Sequence, residues 1–182
     1  FNADFYNSTD VVAYISKVTH KIVREVAPDV DSSYLPHAVN DTYFHPAKTP
    51  EEKSAAEILR KRVTNNNDKK KVFFWNNRNA RRKQSGTLIW WFKEWLDKVG
   101  HDKAVLLMHT DPRDPHGQDL PHLIEHLGLD KYQVLLSTTK VDPAELANLY
   151  RMADYTINIS DAEGFGLATL ESLSCGTPII VN

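Results

Sequence analysis

Two glutamates eight residues apart, Glu163 and Glu171, bracket Gly164 and Gly166 in the run SDAEGFGLATLESLSCG. The glycines stand where a helix-like segment opens, so backbone N–H groups there can approach a ligand closely and favour an anion. Carboxylates near such a helix start suit the acceptance of hydrogen bonds from sugar or ribose hydroxyls. A second group lies upstream. From Lys69 to Lys83 there are seven cationic residues and no acidic one. Arg78 can fork two donors onto phosphate oxygens, and Lys83 adds a point charge. The chemistry these residues suit is recognition of a phosphorylated, hydroxyl-rich ligand. Each group also has a plain structural account. The basic stretch reads equally as a solvated loop, Glu163 as a partner of the helix dipole, and Glu171 as a surface residue.

The elements that must position these groups alternate from Val72 onward. VFFW (72–75), AVLLM (104–108), YQVLL (132–136), YTINI (155–159) and PIIV (178–181) read as strands. Between them lie helix-like runs, of which SGTLIWWFKEWLDKVG ends at Gly100 and LPHLIEHLG at Gly128. Asp142, Pro143 and Glu145 make a helix start with Asp at the N-cap. Five strands separated by four helices, with apolar runs too short for helices, predict an α/β fold. It is a Rossmann-like parallel sheet with helices on both faces and right-handed crossovers. Ligands bind such sheets beyond the C-terminal strand ends, which are here Trp75, Met108, Leu136 and Ile159.

Upstream, VVAYI (11–15) reads as a strand, followed by a helix capped by Ser16, with Val18, Ile22, Val23 and Val26 at helical spacing and Pro28 ending it. A short strand then runs into an irregular connector holding Pro36 and Pro46. PEEKSAAEILRKRV predicts an exposed helix with a thin apolar stripe, and NNNDKKK a solvated loop. The organisation expected is a tail of one domain and a link over 1–46, a charged connector over 47–71, and a sheet domain over 72–182.

Composition bounds the function. The chain has 182 residues, 41% of them hydrophobic and 25% charged, with formal net charge −2. That speaks against a generally basic nucleic-acid binder. The single cysteine, Cys175, excludes an intramolecular disulfide and a cysteine-based zinc cage, and it reads as a small core residue. No apolar run approaches the roughly 20 residues of a membrane-spanning helix. FNADFYN has neither the charged nor the apolar region of a secretory signal, so a cytoplasmic location is expected. The chain starts without Met and stops on Asn182 just after a strand-like run, and is expected to be a piece of a longer protein. There is no Gly-x-Ser-x-Gly elbow and no Gly-rich Lys loop, which argues against an α/β-hydrolase and a P-loop nucleotidase.

Other constellations read as structure. Asp29-Val30-Asp31 follows a helix end and reads as a turn rather than a metal-binding pair. His109, His116 and His122 with Asp111, Asp114 and Asp119 lack metal-ligand spacing. His109 or Thr110, and Ser137, Thr138 and Thr139, follow strands and could line a donor or base pocket. Trp90, Trp91 and Trp95 are expected mostly in the core, with Trp91 and Trp95 on one helical face with Leu88, Phe92, Leu96 and Val99.

The run ISDAEGFGLATLESLSCGTPIIVN resembles the Glu-x7-Glu signature of retaining GT-B glycosyltransferases, most closely glycosyltransferase family 4. VAYISKVTHKI resembles that family's last N-domain strand and helix, and YLPHAVNDTYFHP its interdomain link. FFWNNRNARRK resembles its first C-domain strand with Arg and Lys, and ELANLYRMADYTINIS the helix and strand before the Glu motif. The resemblance covers nearly the whole chain. It implies that Arg78 and Lys83 bind the donor diphosphate and stabilise the leaving nucleotide, and that Glu163 contacts hydroxyls of the donor sugar. It further implies that Glu171 holds the ribose hydroxyls, and that Gly164, Phe165, Gly166 and Leu167 belong to the donor-binding set. Arg78, Lys83 and Glu163 would be the catalytic residues.

The reaction so implied is sugar transfer from a nucleotide-diphosphate sugar to a carbohydrate or lipid-linked acceptor, with retention. No metal or cofactor is required, and Arg78 and Lys83 do a cation's work. A peripheral membrane contact, but no nucleic-acid partner, would go with it. Such a cleft lies between two domains, most of the acceptor domain is absent here, and the chain would supply the donor-binding half. The sequence departs from the family pattern at three places: Ala38 stands for a usual Gly in the link, Asn76-Asn77-Arg78 for a commoner Gly-Arg, and Gln84 for the Gly after Lys83. Two other readings of the same residues stay open. One is a different GT-B enzyme, a phosphorylase or nucleotide-sugar epimerase. The other is a non-catalytic nucleotide- or nucleic-acid-binding module using 69–83.

Overall fold

A computed structural model describes residues 2–182, in two compact units. The first runs to Ala38 and includes Glu163–Leu167; the second holds Val39–Ala162 and Ala168–Asn182.

The first unit contains helix α1 (Asn2–Asn7), strand β1 (Val11–Tyr14), helix α2 (Lys17–Val26) and strand β2 (Asp31–Tyr34). Ser16 caps α2 as its position predicts, its Oγ accepting the Thr19 N–H at 3.1 Å. β1 and β2 pair in parallel with Val11 opposite Asp31, which requires a crossover such as α2. Of the four apolar residues at helical spacing in α2, only Val23 is buried; Val18, Ile22 and Val26 are exposed. Asp29 lies in a turn and Asp31 opens β2, so the two aspartates do not form a pair at a strand end.

In the second unit, α3 (Pro50–Thr64) precedes β3 (Lys71–Asn76), α4 (Ser85–Val99), β4 (Ala104–His109), α5 (Leu120–His126) and β5 (Val134–Ser137). Then come α6 (Pro143–Met152), β6 (Tyr155–Asn158), α7 (Leu167–Ser174, which begins in the first unit) and β7 (Ile179–Val181). The strands form one parallel sheet in the order β5-β4-β3-β6-β7. All five expected strands and four expected helices of 72–182 are present, within a few residues of the expected ends. Alternate residues of β3 enter different cores. Val72 and Phe74 pack with Ala56 of α3 and Ala147, Leu149 and Tyr150 of α6. Phe73 and Trp75 pack with Leu88, Ile89, Phe92 and Leu96 of α4 and Leu120 and Ile124 of α5.

The tryptophans of α4 correct the sequence expectation. Trp90, Trp91 and Trp95 are 50%, 55% and 38% exposed. The buried arc of α4 is centred between Leu88 and Ile89, and Ser85, Phe92 and Leu96 complete it. That arc fills the seat over β3 and β4, so the bulkier indoles fall to its sides. Trp95 keeps an edge contact with Phe73, ring centroids 5.5 Å apart.

The charged connector helix α3 is fastened to the sheet by Arg60. Its Nη1 donates to the Met152 carbonyl at 2.9 Å and lies 2.8 Å from Asp154 Oδ2; its Nη2 donates to the Lys70 carbonyl at 3.2 Å. Asp154 also accepts the Val72 N–H at 2.8 Å and the Lys71 ammonium at 3.0 Å. Burial pushes the Asp154 carboxyl up, but these donors outweigh it and hold the group below its ordinary value. A depressed carboxyl contributes stability above its unfolded-state pKa and loses it as pH falls through the folded one. Arg60→Ala leaves Asp154 and two carbonyls short of a donor. It should cost about 2 kcal/mol at pH 7, a fall in Tm of roughly 5 °C in thermal unfolding, and the difference from wild type should shrink on acidification.

Candidate functional site

The strand order reverses at β3: the chain steps outward to β4 and β5, then returns to the other side at β6. In an open parallel sheet, a ligand has room at the carboxyl ends of the strands flanking such a reversal. Asn76 ends β3 there, and the loop carrying Arg78 and Lys83 follows it.

That loop is ordered by one side chain. Asn79 is 0% exposed. Its Nδ2 donates to the carbonyls of Pro112 (3.3 Å) and Gln118 (2.7 Å), while its Oδ1 accepts from Ser85 Oγ (2.7 Å) and the Gln118 N–H (3.3 Å). All of its polar capacity is spent joining the loop after β3 to the loop after β4 and to the start of α4. The approach is close enough to need glycine: a Cβ on Gly117 would stand 2.2 Å from the Asn79 carbonyl oxygen. Arg81 N–H adds a bond to the His116 carbonyl at 3.1 Å.

Arg78 reaches across the same junction. Its Nε donates to Asp114 Oδ2 at 2.6 Å and its Nη2 to Asp114 Oδ1 at 3.2 Å, with His116 Nδ1 2.9 Å from Nη2. Asp114 also accepts the His116 N–H at 2.9 Å. The Arg78 bonds, then the backbone bond, hold the Asp114 carboxyl far below the usual range. The pairing uses one edge of the guanidinium and leaves the Arg78 side chain largely exposed. Lys83 is buried at the end of a 3₁₀ turn, Arg81–Lys83. Arg82 ties this turn to the segment after β6: its Nη1 donates to the Ala162 carbonyl at 2.7 Å, and its own carbonyl accepts the Asp161 N–H at 2.8 Å. A cavity of about 970 Å³ opens beside the turn, lined by Arg81, Arg82, Gln84, Ser85, His116 and Gln118.

Gln84 occupies the left-handed region, φ +56°, between the 3₁₀ turn and α4. A glycine there would meet the conformation without strain. Here the side chain compensates: Gln84 Nε2 donates to Asp161 Oδ2 at 2.6 Å, and its Oε1 accepts from Thr87 Oγ1 at 2.8 Å. The departure from a glycine pattern noted in the sequence thus preserves the backbone turn.

Glu171 lies on α7, partly buried, and is not a free surface residue. Tyr150 Oη donates to Glu171 Oε2 at 2.6 Å and accepts from Asn76 Nδ2 at 2.8 Å. Through these two bonds the carboxylate is joined to the end of β3, two residues before Arg78. Burial raises the Glu171 carboxyl, and the Tyr150 bond lowers it in part. Helix α7 is fixed on β6 by Ser172 Oγ, 2.6 Å from Thr156 Oγ1, and by Asn158 Nδ2 donating to Thr169 Oγ1 at 3.2 Å.

Glu163, Gly164, Phe165, Gly166 and Leu167 group with the first unit. There the Phe165 ring meets His37 edge-on, centroids 5.3 Å apart. Gly166 has φ +86°, which suits a glycine at the entry to α7. An added Cβ on Gly164 would meet nothing within 4 Å.

Among the remaining candidates, His109 Nδ1 lies 2.9 Å from Ser137 Oγ across the β4–β5 pair, and burial lowers the pKa of the imidazole. Cys175 is buried and its thiol is pushed up to about 11 by that burial, as suits a core residue. Among the described residues no group of three His, Cys, Asp or Glu converges on a metal position. The seven cations of 69–83 do not form one patch. Lys70 and Lys71 engage Tyr132 and Asp154 at the N-terminal end of β3, and Arg78, Arg81, Arg82 and Lys83 lie past its C-terminal end. Sequence reasoning named Asn76 only as part of a departure from the family pattern, did not single out Asn79 or Tyr150, and weighed Asp114 only as a metal ligand. The one signal was the Asn76-Asn77 pair, which breaks the family pattern.

Residues 10–182 match a family model described as "Family 4 Glycosyltransferase in conflict systems". A 62-residue segment, 34% of this chain, is 40% identical to D-inositol 3-phosphate glycosyltransferase of Arthrobacter sp. (strain FB24), and it spans 14% of that relative's length. The fold is similar to that of sucrose-phosphate synthase from Thermosynechococcus elongatus, with TM-score 0.76 and 22% identity over 99% of this chain and 42% of that one. It is also similar to S. aureus TarM, solved as a mutant in complex with Fondaparinux, alpha-GlcNAc-glycerol and UDP. There the TM-score is 0.70 and the identity 13%, over 98% of this chain and 31% of that one.

The Gln84 turn gives a paired test. Gln84→Ala keeps a Cβ at positive φ and deletes both side-chain bonds, so it should destabilise by about 1–2 kcal/mol. Gln84→Gly loses the same bonds but relieves the backbone, and should stay within roughly 0.5 kcal/mol of wild type. Urea unfolding of the two variants measures the difference.

Proposed function

The chain belongs to the family described as Family 4 Glycosyltransferase in conflict systems, and we propose that it supplies the nucleotide-diphosphate-sugar site of a retaining glycosyltransferase. The observation that carries this reading is the arrangement at the reversal of strand order. Cationic side chains on an ordered loop, Arg78 through Lys83, follow β3, and a carboxylate acceptor, Glu171, is hydrogen-bonded through Tyr150 to that strand's last residue. Cations suit a diphosphate; a carboxylate suits a vicinal pair of hydroxyls.

The chemistry required of the site follows from the charges. The bond between the anomeric carbon and the β-phosphate oxygen breaks, and negative charge accumulates on the departing diphosphate. Arg78 and Lys83 meet that charge, and because Asn79 and Asp114 hold their loop in place, little reorganisation is needed when it appears. In this reading Arg78 and Lys83 replace a metal, Glu171 takes the ribose hydroxyls, and Glu163 takes hydroxyls of the sugar. Gly164, Phe165, Gly166 and Leu167 complete the donor-binding set. The acceptor in this reading is a carbohydrate or a lipid-linked acceptor. An acceptor at a membrane surface would call for peripheral contact, since no helix of the described residues is long and apolar enough to cross one.

Thermal unfolding of this chain with UDP, GDP and ADP and the matching monophosphates tests the reading. A ligand at a hundred times its Kd adds about 2.7 kcal/mol of stability, a shift of several degrees in Tm. One diphosphate should raise Tm more than its monophosphate, and Arg78→Ala should remove that difference. Equal shifts with diphosphate and monophosphate, or none with any nucleotide, would defeat the proposal.

A further inference from the structure

Tyr150 is 1% exposed, and its ring is held by packing alone. Phe74 and Phe44 meet it edge-on, with centroids 5.1 and 6.2 Å away, so a phenylalanine would fill the same space. The hydroxyl is therefore an addition that the core does not need. A buried polar group and a partly buried carboxylate both carry a desolvation cost, and a site keeps them where they serve a ligand.

The direction of the bonds at that hydroxyl is fixed. Asn76 Nδ2 can only donate, so Tyr150 Oη accepts from it at 2.8 Å and must send its single proton to Glu171 Oε2 at 2.6 Å. Burial pushes the phenol far above its ordinary range, so the proton stays on Tyr150 and is donated to Glu171 Oε2. One oxygen of Glu171, Oε2, is thereby engaged and oriented, and a ligand hydroxyl would be met by Oε1.

We infer that Tyr150 and Asn76 are positioning residues that hold Glu171 turned toward a ribose diol, and so set the preference of the site for ribonucleotides over deoxyribonucleotides. The inference rests on the donor-site reading above and goes further, because it assigns discrimination at the sugar of the nucleotide to a relay that runs from the end of β3 to α7.

Isothermal titration of the 182-residue chain with UDP, GDP and ADP, and with their 2′,3′-dideoxy counterparts, tests it. Wild type should prefer the ribose form of its best diphosphate by about tenfold or more, the scale of a hydrogen bond to a charged group. Tyr150→Phe should reduce that preference to about twofold while changing dideoxy affinity less than twofold. It should also move the acidic limb of ribonucleotide binding to higher pH, because the bond that lowers the Glu171 pKa is gone. Asn76→Ala should act in the same direction to a smaller extent, and it carries the test if Tyr150→Phe shows no cooperative unfolding. An unchanged ratio in the folded variants, or equal weakening of ribose and dideoxy forms, overturns the inference. Wild type that binds a diphosphate without preferring ribose overturns it and leaves the donor-site reading standing. Wild type that binds no diphosphate overturns both.

Discussion

A strand buried on both faces cannot leave either backbone edge unpaired, and β3 is such a strand. Val72, Phe74 and Trp75 are all fully buried, and Phe73 is partly buried against α4, so both faces of the ribbon are covered. Its N–H and C=O groups must then be met by neighbours on both edges, which β4 and β6 supply in parallel. Because the chain reaches β4 first and β6 only after β5, placing both beside β3 forces the strand order to reverse there. The loop that follows β3 is therefore delivered to the reversal. The position of Arg78 and Lys83 follows from the burial of Val72, Phe74 and Trp75 upstream of them.

Burial explains where the loop is; buried polar atoms explain why it has one shape. Asn79 exhausts its amide on three backbone groups and one hydroxyl, and Asp114 fixes the Arg78 fork. The Arg78–Asp114 pair lies at an exposed surface, whereas the Asn79 bonds are enclosed. Where both partners are withdrawn from solvent, removing one leaves the other unsatisfied, and that asymmetry makes the loop rigid. The arrangement has an electrostatic cost as well. Asp114 offsets part of the positive field that its own geometry helps to aim, so the site favours orientation over raw potential.

The strands and helices of 72–182 were legible because apolar runs and helix-ending glycines are local signals. The N-cap roles of Ser16 and Asp142 were legible for the same reason. The location of Arg78 and Lys83 after a strand end, and of Glu171 within a helix, was legible from the same local signals. What was not legible was tertiary. The period of α4 admits several apolar arcs; only the width of the seat over β3 and β4 selects Leu88, Ile89, Phe92 and Leu96 and leaves three indoles outside. The partners Asp114 and Tyr150 stand far from Arg78 and Glu171 in sequence, so no spacing could reveal them. Gln84 looked like a break in a glycine pattern, because its compensation depends on Asp161, a residue beyond the reach of any local motif.

The four tryptophans divide into two optical classes. Trp90, Trp91 and Trp95 lie on the outer flanks of α4, open to water and to an aqueous quencher. Trp75 is wholly enclosed, one residue before Asn76 and three before Arg78. Acrylamide or iodide added to the folded protein should therefore extinguish the red-shifted emission of the helix and spare a blue component from a single indole. That residual light reports the state of the β3 terminus, so the chain carries a native fluorophore beside its candidate site with no label to attach.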